Sequence, residues 1–135
     1  MQLVLDTNIV LDLLVFADPQ AQPLSHALDG GELCWLATAA MREELARVLH
    51  YPQLAERVAF HRGTHDAVLA DFDRHARLVE VPAKASVTCG DPDDQKFIDL
   101  AVAHRCTLLS KDRDVLRMRK RLERLHVHAT ARFVK

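Results

Sequence analysis

Four carboxylates far apart in the sequence, Asp6, Glu44, Asp94 and Asp112, stand where a folded chain can gather them. Asp6 and Asp112 each follow a short apolar run, Leu3-Val4-Leu5 and Cys106-Thr107-Leu108-Leu109-Ser110, while Glu44 and Asp94 fall near the starts of amphipathic segments. Carboxylates held within a few ångströms repel and raise one another's pKa, so such a group calls for a cation among its members. Oxygen-only donors, with none of the eight histidines at metal-ligand spacing, suit hard divalent ions such as magnesium or manganese.

Each acid also has an ordinary structural reading. Asp is a favoured helix cap, so Asp6 serves equally well as the N-cap of the segment it precedes, and Asp91 before Pro92 has the pattern of a cap. Asp93 reads as solvated, Asp112 as the start of a turn and Asp114 as a cap. A lone glutamate on a helix is usually a surface residue, and Glu43 beside Glu44 makes the choice between them open. The placement of four acids at one edge of a sheet favours the site over these separate readings.

That placement depends on the elements. The apolar residues 3–5 predict a strand covered on both faces, and Thr7 and Asn8 begin a helix through Ile9, Val10, Leu13 and Leu14. A turn-rich link at 18–23 leads to a short helix that Pro23 opens and Gly30-Gly31 ends. Residues 32–37 predict a second strand, and Thr38 caps a helix carrying Met41, Leu45, Val48 and Leu49, closed by Pro52. Segments 54–60 and 64–75 read as two further helices, and Leu78-Val79-Glu80-Val81 as a third strand ended by Pro82. After a loop at 84–90, Asp91-Pro92-Asp93-Asp94 opens a helix with Phe97, Ile98, Ala101 and Val102 on one face. Residues 106–110 form a fourth strand, one helix carries Val115, Leu116, Met118, Leu122 and Leu125, and Val127 begins a last strand. Strands alternating with helices predict a three-layer α/β/α fold with right-handed crossovers. With a five-stranded parallel sheet in the order 3-2-1-4-5, Asp6 and Asp112 face one crevice at the topological switch point.

The 135 residues, 49% of them hydrophobic, suit a single domain over 1–135 with one core. Cys34, Cys89 and Cys106 are odd in number and widely spaced, which suggests neither a disulfide framework nor a zinc knuckle. No basic leader precedes the first strand and no apolar run approaches the roughly 20 residues that span a bilayer, so a cytoplasmic protein without membrane contact is expected. A net charge of −1 gives no global signature of nucleic-acid binding.

Four stretches together resemble the PIN-domain ribonucleases, in particular the toxins of prokaryotic toxin-antitoxin systems. They are Leu5-Asp6-Thr7-Asn8, the run Glu44-Leu45-Ala46-Arg47-Val48-Leu49 after Thr38, Asp91-Pro92-Asp93-Asp94 leading into Phe97-Ile98-Asp99-Leu100-Ala101, and Ser110-Lys111-Asp112-Arg113-Asp114. The resemblance implies the same five-stranded sheet and a magnesium or manganese site formed by Asp6, Glu44, Asp94 and Asp112. It favours Glu44 over Glu43 and Asp94 over Asp91, with Asp91 either a further ligand or a cap, and gives Asn8 and Ser110 as polar supports. The implied activity is metal-assisted hydrolysis of RNA phosphodiesters, with Asp6 and Asp112 as the inner ligands. A homodimer inhibited by a small antitoxin protein is the implied assembly. Asp12, Gln95 and Ser110 depart from the usual pattern without removing an acid. Phosphate contacts would come from the basic residues after Asp112, Arg113, Arg117 and Lys120 first among them, although a solvated helix face explains these equally well.

Two other classes compete. An aspartyl phosphotransfer domain is disfavoured, because a phosphatase of that kind would have a second Asp two residues after Asp6, where Asn8 stands. A non-catalytic RNA-binding or partner-binding module would have no use for a complete set of acids.

Overall fold

A computed structural model describes residues 1–134. Five parallel strands, β1 (Gln2–Leu5), β2 (Cys34–Ala37), β3 (Ala76–Leu78), β4 (Thr107–Leu109) and β5 (His128–Thr130), form one sheet in the order β3-β2-β1-β4-β5. The central strand β1 pairs with both β2 and β4, and Leu3, Val4 and Leu5 are buried on both faces, as their uninterrupted apolar run requires. Among the described residues eight α-helices flank the sheet: α1 (Thr7–Leu14), α2 (Gln22–Asp29), α3 (Ala39–Val48), α4 (Pro52–Arg62), α5 (His65–His75), α6 (Gln95–His104), α7 (Arg113–Leu116) and α8 (Arg119–Arg124). This is the three-layer α/β/α arrangement and strand order expected from the sequence.

Side-chain caps fix where several helices begin. The Asp6 carboxylate accepts from the Ile9 amide, Thr38 Oγ1 from that of Met41, and Thr64 Oγ1 from that of Ala67. Behind β2, Trp35 packs edge-on against Phe72 of α5, with ring centroids 4.9 Å apart, anchoring the outer helices to the sheet. Among the described residues no helix is long and apolar enough to cross a membrane.

Three local expectations are corrected. The third strand is Ala76–Leu78 rather than 78–81, because its register follows β2: Trp35 pairs with Ala76 and Ala37 with Leu78, and the Val79 amide donates once more to Ala37 O. Pro52 does more than end a helix, since it occupies the first turn of α4, where its missing N–H costs nothing. The single helix expected after Asp112 is two short ones. The Met118 amide reaches back three residues to Val115 O, and this tighter turn separates α7 from α8 while Val115, Met118 and Leu122 all remain in the core.

Candidate functional site

The site is assembled where the strand order reverses. Asp6 follows β1 and its backbone N–H donates to Leu109 O of β4 at 3.1 Å, so the ends of the two strands are locked side by side. Asp6 is only 3% exposed and both its oxygens are used: one caps α1, and the other accepts the hydroxyl proton of Ser110. Ser110 is fully buried, and its Oγ accepts in turn from the Asp112 amide at 3.1 Å. Asp112 caps α7 through Oδ1, which accepts from the Asp114 amide at 2.8 Å. Capping and site placement are therefore compatible for both aspartates. Burial pushes the Asp6 carboxyl above its ordinary pKa, with the neighbouring Asp112 charge adding to the rise, while the bonds from Ser110 and Ile9 oppose it.

The third acid arrives from the turn before α6. Pro92–Asp94 is a 3₁₀ turn capped by Asp91, whose Oδ1 accepts from the Asp93 amide at 3.0 Å. The preceding loop is pinned to α6 by two side chains. Gln95 accepts from the Cys89 amide at 2.7 Å and donates to Val87 O and to Asp99, and Asp99 also accepts from the Ala85 amide at 2.8 Å. Gly90 completes the approach, since a Cβ there would lie 3.1 Å from Asp114 Oδ1. The loop thus rests against the start of α7, which brings Asp91 and Asp94 to Asp112.

Carboxylate oxygens of Asp91, Asp94 and Asp112 lie within 4.8 Å of one another. Asp94 Oδ2 is buried and has no hydrogen-bond partner. Partial burial and the charges of Asp112, Asp91 and Asp6 push the Asp94 carboxyl up to about 7. An unpartnered buried oxygen among three more acids fits a bound divalent cation, as does the all-oxygen donor set.

Glu44 is placed differently. It projects from α3 into a cleft of about 390 Å³ that also reaches Asp6, Asn8 and Asp94. Its Oε2 lies 2.6 Å from Lys96 Nζ of α6. Lys96 was not singled out in the sequence, where one lysine on an amphipathic helix carries no signal beyond a solvated face. Glu43 is exposed. Asp12, a departure from the family pattern, forms an ion pair with Lys111 in the loop after β4. Arg113, Arg117 and Lys120 are exposed; Arg117 approaches Asp114 at 3.4 Å, and none of the three lines the cleft.

A family model of the PIN domain matches residues 2–114, from the first residue of β1 to the start of α7. The chain belongs to the PIN-domain family. The match takes in every acid described above, and the parallel sheet in the order 3-2-1-4-5 agrees with it. Membership of this PIN-domain family supports a nuclease-type fold, and the chain carries an acidic cluster of Asp91, Asp94 and Asp112. No curated protein shows significant similarity to the chain.

Proposed function

We propose that this PIN-domain protein is a magnesium- or manganese-dependent endoribonuclease that hydrolyses RNA phosphodiester bonds. The observation that supports it most is the convergence of Asp91, Asp94 and Asp112 around the unpartnered Asp94 Oδ2. Asp6, Asp94 and Asp112 would hold the ion, with Glu44 at the cleft side and Asp91 as a further oxygen donor; Asn8 and Ser110 are the supports. A bound divalent cation supplies charge neutralisation at the phosphate and polarises the P–O bond that breaks.

The chain's own residues prepare that event. Burial and the neighbouring carboxylates raise the Asp94 carboxyl to about 7, and positive charge held by the cluster would favour its ionised, ligating form. Ser110 holds Asp6 and the Asp112 backbone in one orientation, so the two acids act from a fixed frame. Lys96 offsets the charge of Glu44, which lines the cleft. Arg113, Arg117 and Lys120 extend the positive surface beyond Asp112.

The test is cleavage of single-stranded RNA by purified protein in chelator, in magnesium and in manganese. Activity only with the metals, lost in Asp112→Asn, supports the reading; no cleavage under any condition, or equal cleavage in chelator, refutes it.

By resemblance to PIN toxins, we propose further that the protein acts in the cytoplasm as a homodimer held in check by a small antitoxin. Inhibition would follow if a basic side chain of that partner occupied the acidic rim, as Lys96 pairs with Glu44 within the chain. Light scattering that finds a monomer at every concentration refutes the dimer, and a genomic neighbourhood without a small companion gene counts against the antitoxin.

A further inference from the structure

The cleft beside the acids is not acidic throughout. Its lining joins the three carboxylates Asp6, Glu44 and Asp94 with apolar side chains, Phe16, Val48 and Leu54 among them. Tyr51 also lines it, 41% exposed, between the end of α3 and the first turn of α4. Neither element explains that ring: Tyr51 is held through its backbone, its N–H donating to Val48 O and its carbonyl accepting from Leu54 and Ala55. Phe16, half-buried against the core, also lines the cleft, and the Arg57 guanidinium lies 4.2 Å from its ring centroid, so a positive charge stands beside this aromatic lining. Asn8 and Gln53, both exposed, add amide groups to the same lining.

A metal site alone needs none of this. The exposed Tyr51 ring and half-buried Phe16, two side-chain amides and an arginine, set next to carboxylates suited to a cation, match the parts of one nucleotide: a flat base, its hydrogen-bonding edge and its phosphate. The volume of about 390 Å³ falls in the range of roughly 300–1,000 Å³ usual for small-ligand sites. We propose that this cleft is a base-binding subsite. One unpaired nucleobase of single-stranded RNA lies against Tyr51 and Phe16, its edge meets Gln53 and Asn8, and its phosphate is directed to the acidic rim. The inference rests on the nuclease reading and adds a contact to it: the base next to the cut is held by Tyr51 and its neighbours and not by the metal site alone.

Free nucleosides test the subsite apart from cleavage, since they carry no phosphate and need no metal. Titrating adenosine, guanosine, cytidine and uridine into the ¹⁵N-labelled protein in chelator should shift the amides of Phe16, Tyr51, Gln53 and Leu54, with at least one nucleoside preferred. Tyr51→Ala should weaken that binding about tenfold, and Tyr51→Phe should restore it. In the cleavage assay, an abasic site beside the cut should raise KM about tenfold with kcat changed less. No amide shifts in the cleft with any nucleoside, shifts unaltered in Tyr51→Ala, or equal KM for abasic and intact RNA overturns the subsite. Nucleosides that bind to a protein that cuts no RNA uphold the subsite and refute the nuclease reading, so the two failures are distinct.

Discussion

Lys96 Nζ lies 2.6 Å from Glu44 Oε2, joining α6 to α3 across the cleft, with only 31% and 18% of the two side chains exposed. A pair this sheltered is screened less than a surface pair, so its members should be coupled. Lys96→Met should cost about 1–2 kcal/mol by leaving Glu44 half-buried and uncompensated, and adding Glu44→Gln should recover most of that loss. Urea denaturation of the four proteins measures the coupling, and a value near zero would show the contact to be energetically idle.

Glu43 and Glu44 should part in activity. Glu44→Gln should lower RNA cleavage severely, on the order of a hundredfold for one lost charge at a metal-dependent site, while exposed Glu43→Gln should be nearly neutral. Initial rates at saturating metal make the comparison, and the reverse order would remove Glu44 from the site.

Asp6→Asn and Asp112→Asn should each abolish cleavage while the protein stays folded. Both aspartates are helix caps, and Asn caps as well as Asp, so the change removes charge and leaves the local geometry supported. Circular dichroism verifies the fold; activity within threefold of wild type in either variant contradicts the assignment.

Asp94 links stability to pH. Its folded-state pKa of about 7 stands above the ordinary 3.8, so the folded state holds the proton more tightly than the unfolded state does. The resulting penalty is absent below pH 3.8, grows between 3.8 and 7 and is complete above that. In chelator at pH 8, Asp94→Asn should therefore be more stable than wild type, on the order of 1–2 kcal/mol once partial exposure and screening are allowed for. The gain should shrink to a minor part at pH 5. Thermal melting at matched ionic strength reads the difference, and a gain independent of pH would mean that the charge of Asp94 is not its cause.

A divalent ion that binds only the folded chain should stabilise it by about 1.4 kcal/mol at ten times Kd, a melting shift of roughly 3–6 °C. The shift should be smaller in Asp94→Asn and in Asp112→Asn. Equal shifts in magnesium and in sodium of the same ionic strength would point to screening instead of a site.

What the sequence reveals depends on whether a residue's role is local. The buried run Leu3-Val4-Leu5, the caps at Asp6, Thr38 and Thr64 and the alternation of strand and helix are local patterns that give the α/β class, whereas the strand order rests on the resemblance to the PIN family. The edge strand β3 is placed by pairing with β2, forty residues away, while exposed Leu78 and Val81 draw the eye too far along the chain. The break between α7 and α8 leaves the buried residues where one helix would put them, so hydrophobic spacing does not disclose it. Lys96 acquires its part only through a residue on another helix. Asp91 was ambiguous between cap and ligand because its carboxylate caps the turn and also stands in the acidic group.

The bond from Ser110 to Asp6 spans 104 positions of sequence, and the Ser110 backbone is itself held by Thr130 O of β5. The first acid is thus made early in translation but has no working frame until residue 130 has left the ribosome and the outer strand has joined the sheet. A growing chain displays isolated aspartates and no assembled centre. Should the protein degrade RNA, the messenger being read would be spared by its own half-made product until the outer strand has docked.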